Sequence, residues 1–145
     1  MNDSRIYPVL AMAGATPFVA CALLPLFGFD AVDPLGPLDA VAASYGLAIV
    51  SFLTGIHWAT RIYGQQQSGA NLLIISNVVF VAVWLAYALG TTAAALLAQL
   101  VALLVVLAID RSLLKAGVIT GDYYRTRNTA TVLAVASLAI ILLVA

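Results

Sequence analysis

The sequence predicts an all-α integral membrane protein, a single-domain bundle of five transmembrane helices, and three observations carry that reading. First, 64% of the 145 residues are hydrophobic, 8% are charged and mean hydropathy is +1.10. Soluble domains are about half apolar and about a quarter charged, so these few charges could not cover a water-facing surface. Second, the chain holds five apolar stretches near the length of roughly 20 residues that a helix needs to cross hydrocarbon. Third, all the basic residues fall on one side of a five-span layout.

The predicted spans are about 7–28, 40–60, 70–89, 92–109 and 128–145. Helices are the spanning option here, because barrel strands would appear as short alternating segments and these runs are continuous. The first run follows Arg5 and carries Pro17 and Pro25. It is longer than the apolar region of a signal peptide and is expected to remain as a span. The first loop, GFDAVDPLGPLDA, places Gly, Pro and Asp as a solvated turn does. Its three aspartates lack the spacing and terminal glutamate of a calcium-binding loop. The segment YGQQQSGAN is a polar connector, and Gly90 to Thr92 predict a tight hairpin between the third and fourth spans. The longest loop is expected over 110–128, with its LLKAGVI portion lying along the membrane interface.

Arg5, Arg61, Arg111, Lys115, Arg125 and Arg127 all fall before span one, between spans two and three, or between spans four and five. A four- or six-span layout would divide them between the two sides. Basic loops stay in the cytoplasm, which predicts a cytoplasmic N-terminus and an external C-terminus. Six basic and six acidic residues cancel, and no basic stripe suits a nucleic acid. One cysteine and one histidine supply neither a disulfide nor a zinc site nor paired haem ligands. No metal, cofactor or catalytic set is therefore expected.

Residues 45–61, YGLAIVSFLTGIHWATR, which hold most of the second span, are the most informative stretch. Ser51, Gly55 and Ala59 recur every four residues, a small-residue seam on which another helix can pack closely. Val50, Leu53, Thr54, His57, Thr60 and Arg61 fall on a different face that turns polar toward the cytoplasmic end. One reading of that end is interfacial, with Trp58 in an aromatic belt and Arg61 reaching water. The other points His57 into the bundle, where an ionisable group marks a functional site. At similar depth span three brings Asn77, and the start of span five brings Tyr124, Arg125 and Arg127. Together with His57, Trp58 and Arg61 these residues define a candidate pocket open to the cytoplasm.

Glutamate is absent and no aspartate lies inside a predicted span, which sets aside a carboxylate proton relay. It also leaves any Ser–His pair without an orienting carboxylate. Nucleotide-binding glycine motifs and the G-x-S-x-G elbow are missing.

The pattern Tyr45-Gly46, Ser51-Phe52-Leu53, Gly55-Ile56-His57-Trp58 resembles the central segment of the family known as domain of unknown function 3429. Gly14-Ala15-Thr16-Pro17-Phe18 and Tyr124-Arg125-Thr126-Arg127 with Thr131 extend the likeness over nearly the whole chain. The family comprises bacterial inner-membrane proteins and the mitochondrial transmembrane protein 69. The resemblance implies a five-helix protein of the bacterial inner (plasma) membrane and brings no established activity. Two functions stay open. One is a non-catalytic protein acting by helix packing, as partner of a larger membrane complex or as a homo-oligomer. The other is a binder or conductor of a small amphiphile, a lipid or a quinone, through the pocket around His57.

Overall fold

A computed structural model describes residues 3–64 and 71–144. Helix α1 spans Asp3–Leu23 and continues into a single 3-10 turn, Leu24–Phe27. Two short antiparallel strands follow, β1 (Ala31–Val32) and β2 (Gly36–Pro37), with Ala31 opposite Pro37 and Val32 opposite Gly36. Then come α2 (Leu38–Tyr63), α3 (Leu72–Leu89), α4 (Thr92–Lys115) and α5 (Gly121–Val144). All five α-helices are long and apolar enough to cross a membrane. This is a multi-pass membrane protein. Of the expected polar connector, residues 63–71, residues 65–70 lie outside the described residues.

The two boundaries that differ most from expectation both matter. Helix α4 continues past 109 to Lys115, and α5 begins at Gly121 rather than near 128. The predicted interfacial LLKAGVI segment is thus the last turn of α4 and its cap. Leu113 is a buried residue of that turn, which is why the helix does not end where the continuous apolar run ends. The stop comes at Gly117, which takes a left-handed φ of 75°. Val118 N–H reaches back to the Leu113 carbonyl at 2.9 Å and Gly117 N–H to that of Leu114 at 3.1 Å. This is the paired capping pattern that favours glycine at the turn. Thr120 then starts α5 by accepting the Tyr123 N–H at 3.2 Å. The connector shrinks to 116–120 and holds the start of α5 against the end of α4.

The starts of α1 and α5 meet in the Tyr7–Tyr123 ring pair, 5.9 Å between centroids. Helices α2 and α4 form the centre, α1 and α5 cover one side, and α3 fills the notch on the other. The central helices each bury one continuous face. On α2 it is Leu38, Ala42, Ala43, Gly46, Val50, Leu53, Thr54 and His57; on α4 it runs through Gln99, Leu103, Val106, Asp110 and Leu113. These spacings are those of one helical stripe. Tyr45 ties α2 to α1 by donating to the Gly14 carbonyl at 2.8 Å.

The close helix contact is at Gly46, not Gly55. Gln99 is fully buried and its Nε2 donates to the Ala43 carbonyl at 2.6 Å. Its carboxamide lies directly over Gly46, where any Cβ would overlap it. At Gly55 a Cβ would meet nothing, and Ala59 is exposed while Ser51 is half-buried. Among the described residues, no helix packs closely on the Ser51–Gly55–Ala59 seam at Gly55. It lies next to the buried stripe, about 100° around the helix, because each member follows or precedes a buried residue by one or two positions.

Gly46→Leu should thus destabilise the protein by about 1–3 kcal/mol through overpacking, read as a lower Tm in detergent, and Gln99→Ala should relieve part of that loss. Gly55→Leu should leave the Tm of the monomer unchanged. The reverse ranking would reject Gly46 as the contact.

Candidate functional site

Asp110 lies one turn before the end of α4, on its buried face, and is 2% exposed. A charge at such depth is costly unless paired, and intramembrane ionisable groups mark functional sites. Two partners come from two other helices. His57 of α2, 1% exposed, places Nε2 2.9 Å from Asp110 Oδ1. A carboxylate oxygen accepts, so Nε2 carries the proton and, in the neutral ring, Nδ1 is left as an acceptor. Arg127 of α5 places Nη1 3.6 Å from Asp110 Oδ2. Its Nη2 donates to the Tyr123 hydroxyl at 2.7 Å, and the guanidinium carbon stands 5.5 Å from that ring's centroid. Tyr123 and Arg127 are four residues apart, so they share one helix face.

The cluster is incompletely satisfied. His57 Nδ1, Asp110 Oδ2 and Arg127 Nη1 are buried and have no hydrogen-bond partner among the described residues. At 3.6 Å the Arg127–Asp110 pair is electrostatic, since N–H···O bonds measure about 2.7–3.2 Å. Buried polar atoms are usually paired, so three orphans in one place call for a specific explanation.

Two concavities flank the cluster. One, of about 270 Å³, lies beneath the α4–α5 connector and is lined by His57, Thr60, Asp110, Thr120 and Tyr123 among others. The second, of about 330 Å³, is an apolar groove between α1, α2 and α5 that ends at Tyr123 and Arg127. Both fall in the lower part of the size range of small-molecule sites, about 300–1,000 Å³, or just beneath it.

Of the residues singled out from sequence, His57 and Arg127 come together and the others do not join them. Asn77 is exposed; its neighbour Ser76 takes the buried position and bonds back to the Leu73 carbonyl at 3.2 Å. Arg125 is exposed and pairs on the surface with Asp122 at 3.8 Å. It lies two residues from Arg127, which puts the two arginines on opposite sides of the helix. Trp58 is 39% exposed, Arg61 is half-buried, and Tyr124 is half-buried on a different face from Tyr123. Asp110 corrects the expectation that no aspartate enters a span: the helix outruns the apolar run and carries it inside. Its signal was the spacing of Leu103, Val106, Asp110 and Leu113 as one stripe. Tyr123 was legible too, as the i−4 neighbour of Arg127.

The three orphaned groups sit within a sequence match that covers nearly all of the chain. A family model described as "Protein of unknown function (DUF3429)" matches residues 4–143. The chain belongs to this family. No curated protein and no solved structure matches it.

Removing the carboxylate should be the most damaging single change in the cluster. Asp110→Ala strands Arg127 as a buried unpaired charge and should cost about 3–5 kcal/mol. Asp110→Leu combined with Arg127→Leu should recover much of that loss. Thermal unfolding of the purified variants checks this, and a double variant no more stable than Asp110→Ala would rule out the pair as the cause.

Proposed function

We propose that this protein binds the polar head of a small amphiphile at the His57–Asp110–Arg127 cluster. The observation that carries the reading is the set of three buried polar atoms, on three helices, with no hydrogen-bond partner among the described residues. A purely structural ion cluster gains stability by satisfying such groups, because an unpaired one costs free energy at this depth. A ligand head supplies what is missing, and the flanking apolar groove offers room for its tail. The site suits binding better than conduction. Between Asp110 and Gln99, the next buried polar group of α4, lie about 16 Å of helix rise occupied by Ala102, Leu103 and Val106. Along α4 that length carries no polar side chain to hand on a proton or a polar solute.

Arg61, Lys115 and Arg125 lie at the same end of the bundle as the cluster, at the end of α2, the end of α4 and the start of α5. On the positive-inside rule we place that end at the cytoplasmic face of a bacterial inner membrane. Alkaline phosphatase fused after Ala145 should be active and a fluorescent protein fused there dark; the opposite pair of results reverses the orientation.

A second reading rests on the outward Ser51–Gly55–Ala59 seam, a surface of small side chains that suits close packing of a helix from another chain. It makes the protein an assembly partner or self-oligomer. Native mass spectrometry of the detergent-purified protein separates the two. A retained small molecule that is lost in a folded His57→Ala, Arg127→Ala double variant supports the cluster. Unchanged retention in that variant rejects it, and an oligomer that Gly55→Leu dissociates supports the seam.

A further inference from the structure

Helix α3 is the span that the rest of the chain covers least. Only 17% of its 18 residues are buried, the smallest share among the five candidate spans. The buried ones, Leu72, Ser76 and Val83, mark its inward side. Away from them Ile74, Asn77, Val81, Trp84 and Ala88 are all exposed. Their spacing alternates between three and four residues, which places them on one narrow stripe of the kind that pairs with another helix.

Asn77 is out of place on a stripe that faces lipid. At 18 residues α3 is about 27 Å long, no longer than the hydrocarbon it must cross, about 30 Å. The helix has no residue to spare for the headgroups, so Asn77, five positions inside its start, lies among acyl chains. Hydroxyls that face outward on other helices bond their own backbone. Thr16 and Thr129 each donate to the carbonyl four residues before, at 3.2 and 3.0 Å. The side-chain hydrogen bonds near the start of α3 are those of Asn71 and Ser76, and the Asn77 carboxamide has no partner among the described residues. Hydrocarbon offers neither donor nor acceptor, and an unbonded amide there is costly. The carboxamide carries two donors and an acceptor, so it is complementary to a copy of itself. Copies in one membrane share one orientation, so a two-fold axis between them stands normal to the bilayer. Such an axis brings each residue of α3 against its counterpart at the same depth.

We infer that α3 is a homodimer interface, in which its outward stripe packs in parallel on the same stripe of a second copy. The two Asn77 carboxamides bond each other across the axis. Ile74, Val81, Trp84 and Ala88 supply the apolar contacts on either side, and the single polar position fixes the register. This surface is separate from the Ser51–Gly55–Ala59 seam of α2 and from the His57–Asp110–Arg127 cluster, and it depends on neither.

The test uses the whole protein. Native mass spectrometry over a series of protein-to-detergent ratios reads stoichiometry, and crosslinking in reconstituted bilayers reads contacts. The wild-type protein should be dimeric at high ratio. Asn77→Leu should weaken the dimer roughly tenfold, as loss of two membrane hydrogen bonds does, whereas Asn77→Gln, which keeps a carboxamide, should retain it. Residue 77 faces away from the core, so Asn77→Leu should leave the Tm of the monomer unchanged, which separates loss of the dimer from unfolding. In a Cys21→Ala background, Val81→Cys should crosslink to its counterpart and Leu104→Cys, exposed on α4, should not. A wild-type protein that stays monomeric and gives no crosslink at 81 overturns the interface. So does a dimer that Asn77→Leu leaves intact, and if Gly55→Leu dissociates that dimer instead, the contact belongs to the α2 seam. Crosslinking at 104 without crosslinking at 81 rejects α3 in favour of α4.

Discussion

The burial of one carboxylate constrains this fold more than any other single feature. Asp110 lies inside a helix that has the length and composition of a membrane span, and hydrocarbon does not solvate a lone charge. Its stability there depends on His57 from α2 and Arg127 from α5 reaching it together. That requirement fixes the end of α2, the end of α4 and the start of α5 at one depth. A shift of any of the three by one helical turn, about 5.4 Å, would separate the groups and leave a charge unpaired. Apolar packing alone does not set register this sharply, since one greasy surface slides along another at small cost.

Local chemistry then serves the cluster. Gly117 closes α4 about two turns beyond Asp110, and Thr120 opens α5 so that Arg127 arrives on the facing surface. Tyr123 takes one arm of the guanidinium through its hydroxyl and offers its ring to the cation, which orients the side chain. At the other end of the central pair, Gln99 against Gly46 and Ala43 supplies a second specific contact between α2 and α4. Two polar fasteners separated by a length of apolar packing make a rigid central pair. Against it α1, α3 and α5 pack largely through apolar side chains.

Hydrogen bonding within the cluster is incomplete among the described residues. A buried pair whose geometry is poor and whose remaining lone pairs are open often contributes no net stability compared with hydrophobic residues of the same volume. Here the longer contact is 3.6 Å and three buried atoms are without partners. Two concavities, one beneath the connector and one open along the helices, share Ile56 and Tyr123 in their linings. This combination is what supports the proposed binding role of the cluster.

The sequence by itself determined the class, the five spans, the α3–α4 hairpin and the clustering of basic residues at span ends, because hydrocarbon imposes length and composition on every crossing segment. It also marked His57 and Arg127 as polar residues near span ends. Only the tertiary structure decided which face of each helix meets a neighbour, and one residue of offset decides that. It separates buried Ser76 from exposed Asn77, and two residues separate buried Arg127 from exposed Arg125. The small-residue seam at Gly55 and the contact made at Gly46 look alike in sequence, since spacing identifies a stripe without naming what packs on it. Asp110 was hidden for a related reason. A hydropathy boundary stops at the first charge, whereas the helix stops where its backbone is capped, and here the cap lies at Gly117. The partners that make a buried charge tolerable lie 53 residues before it in the sequence, at His57, and beyond a turn after it, at Arg127. Only folding brings them within reach.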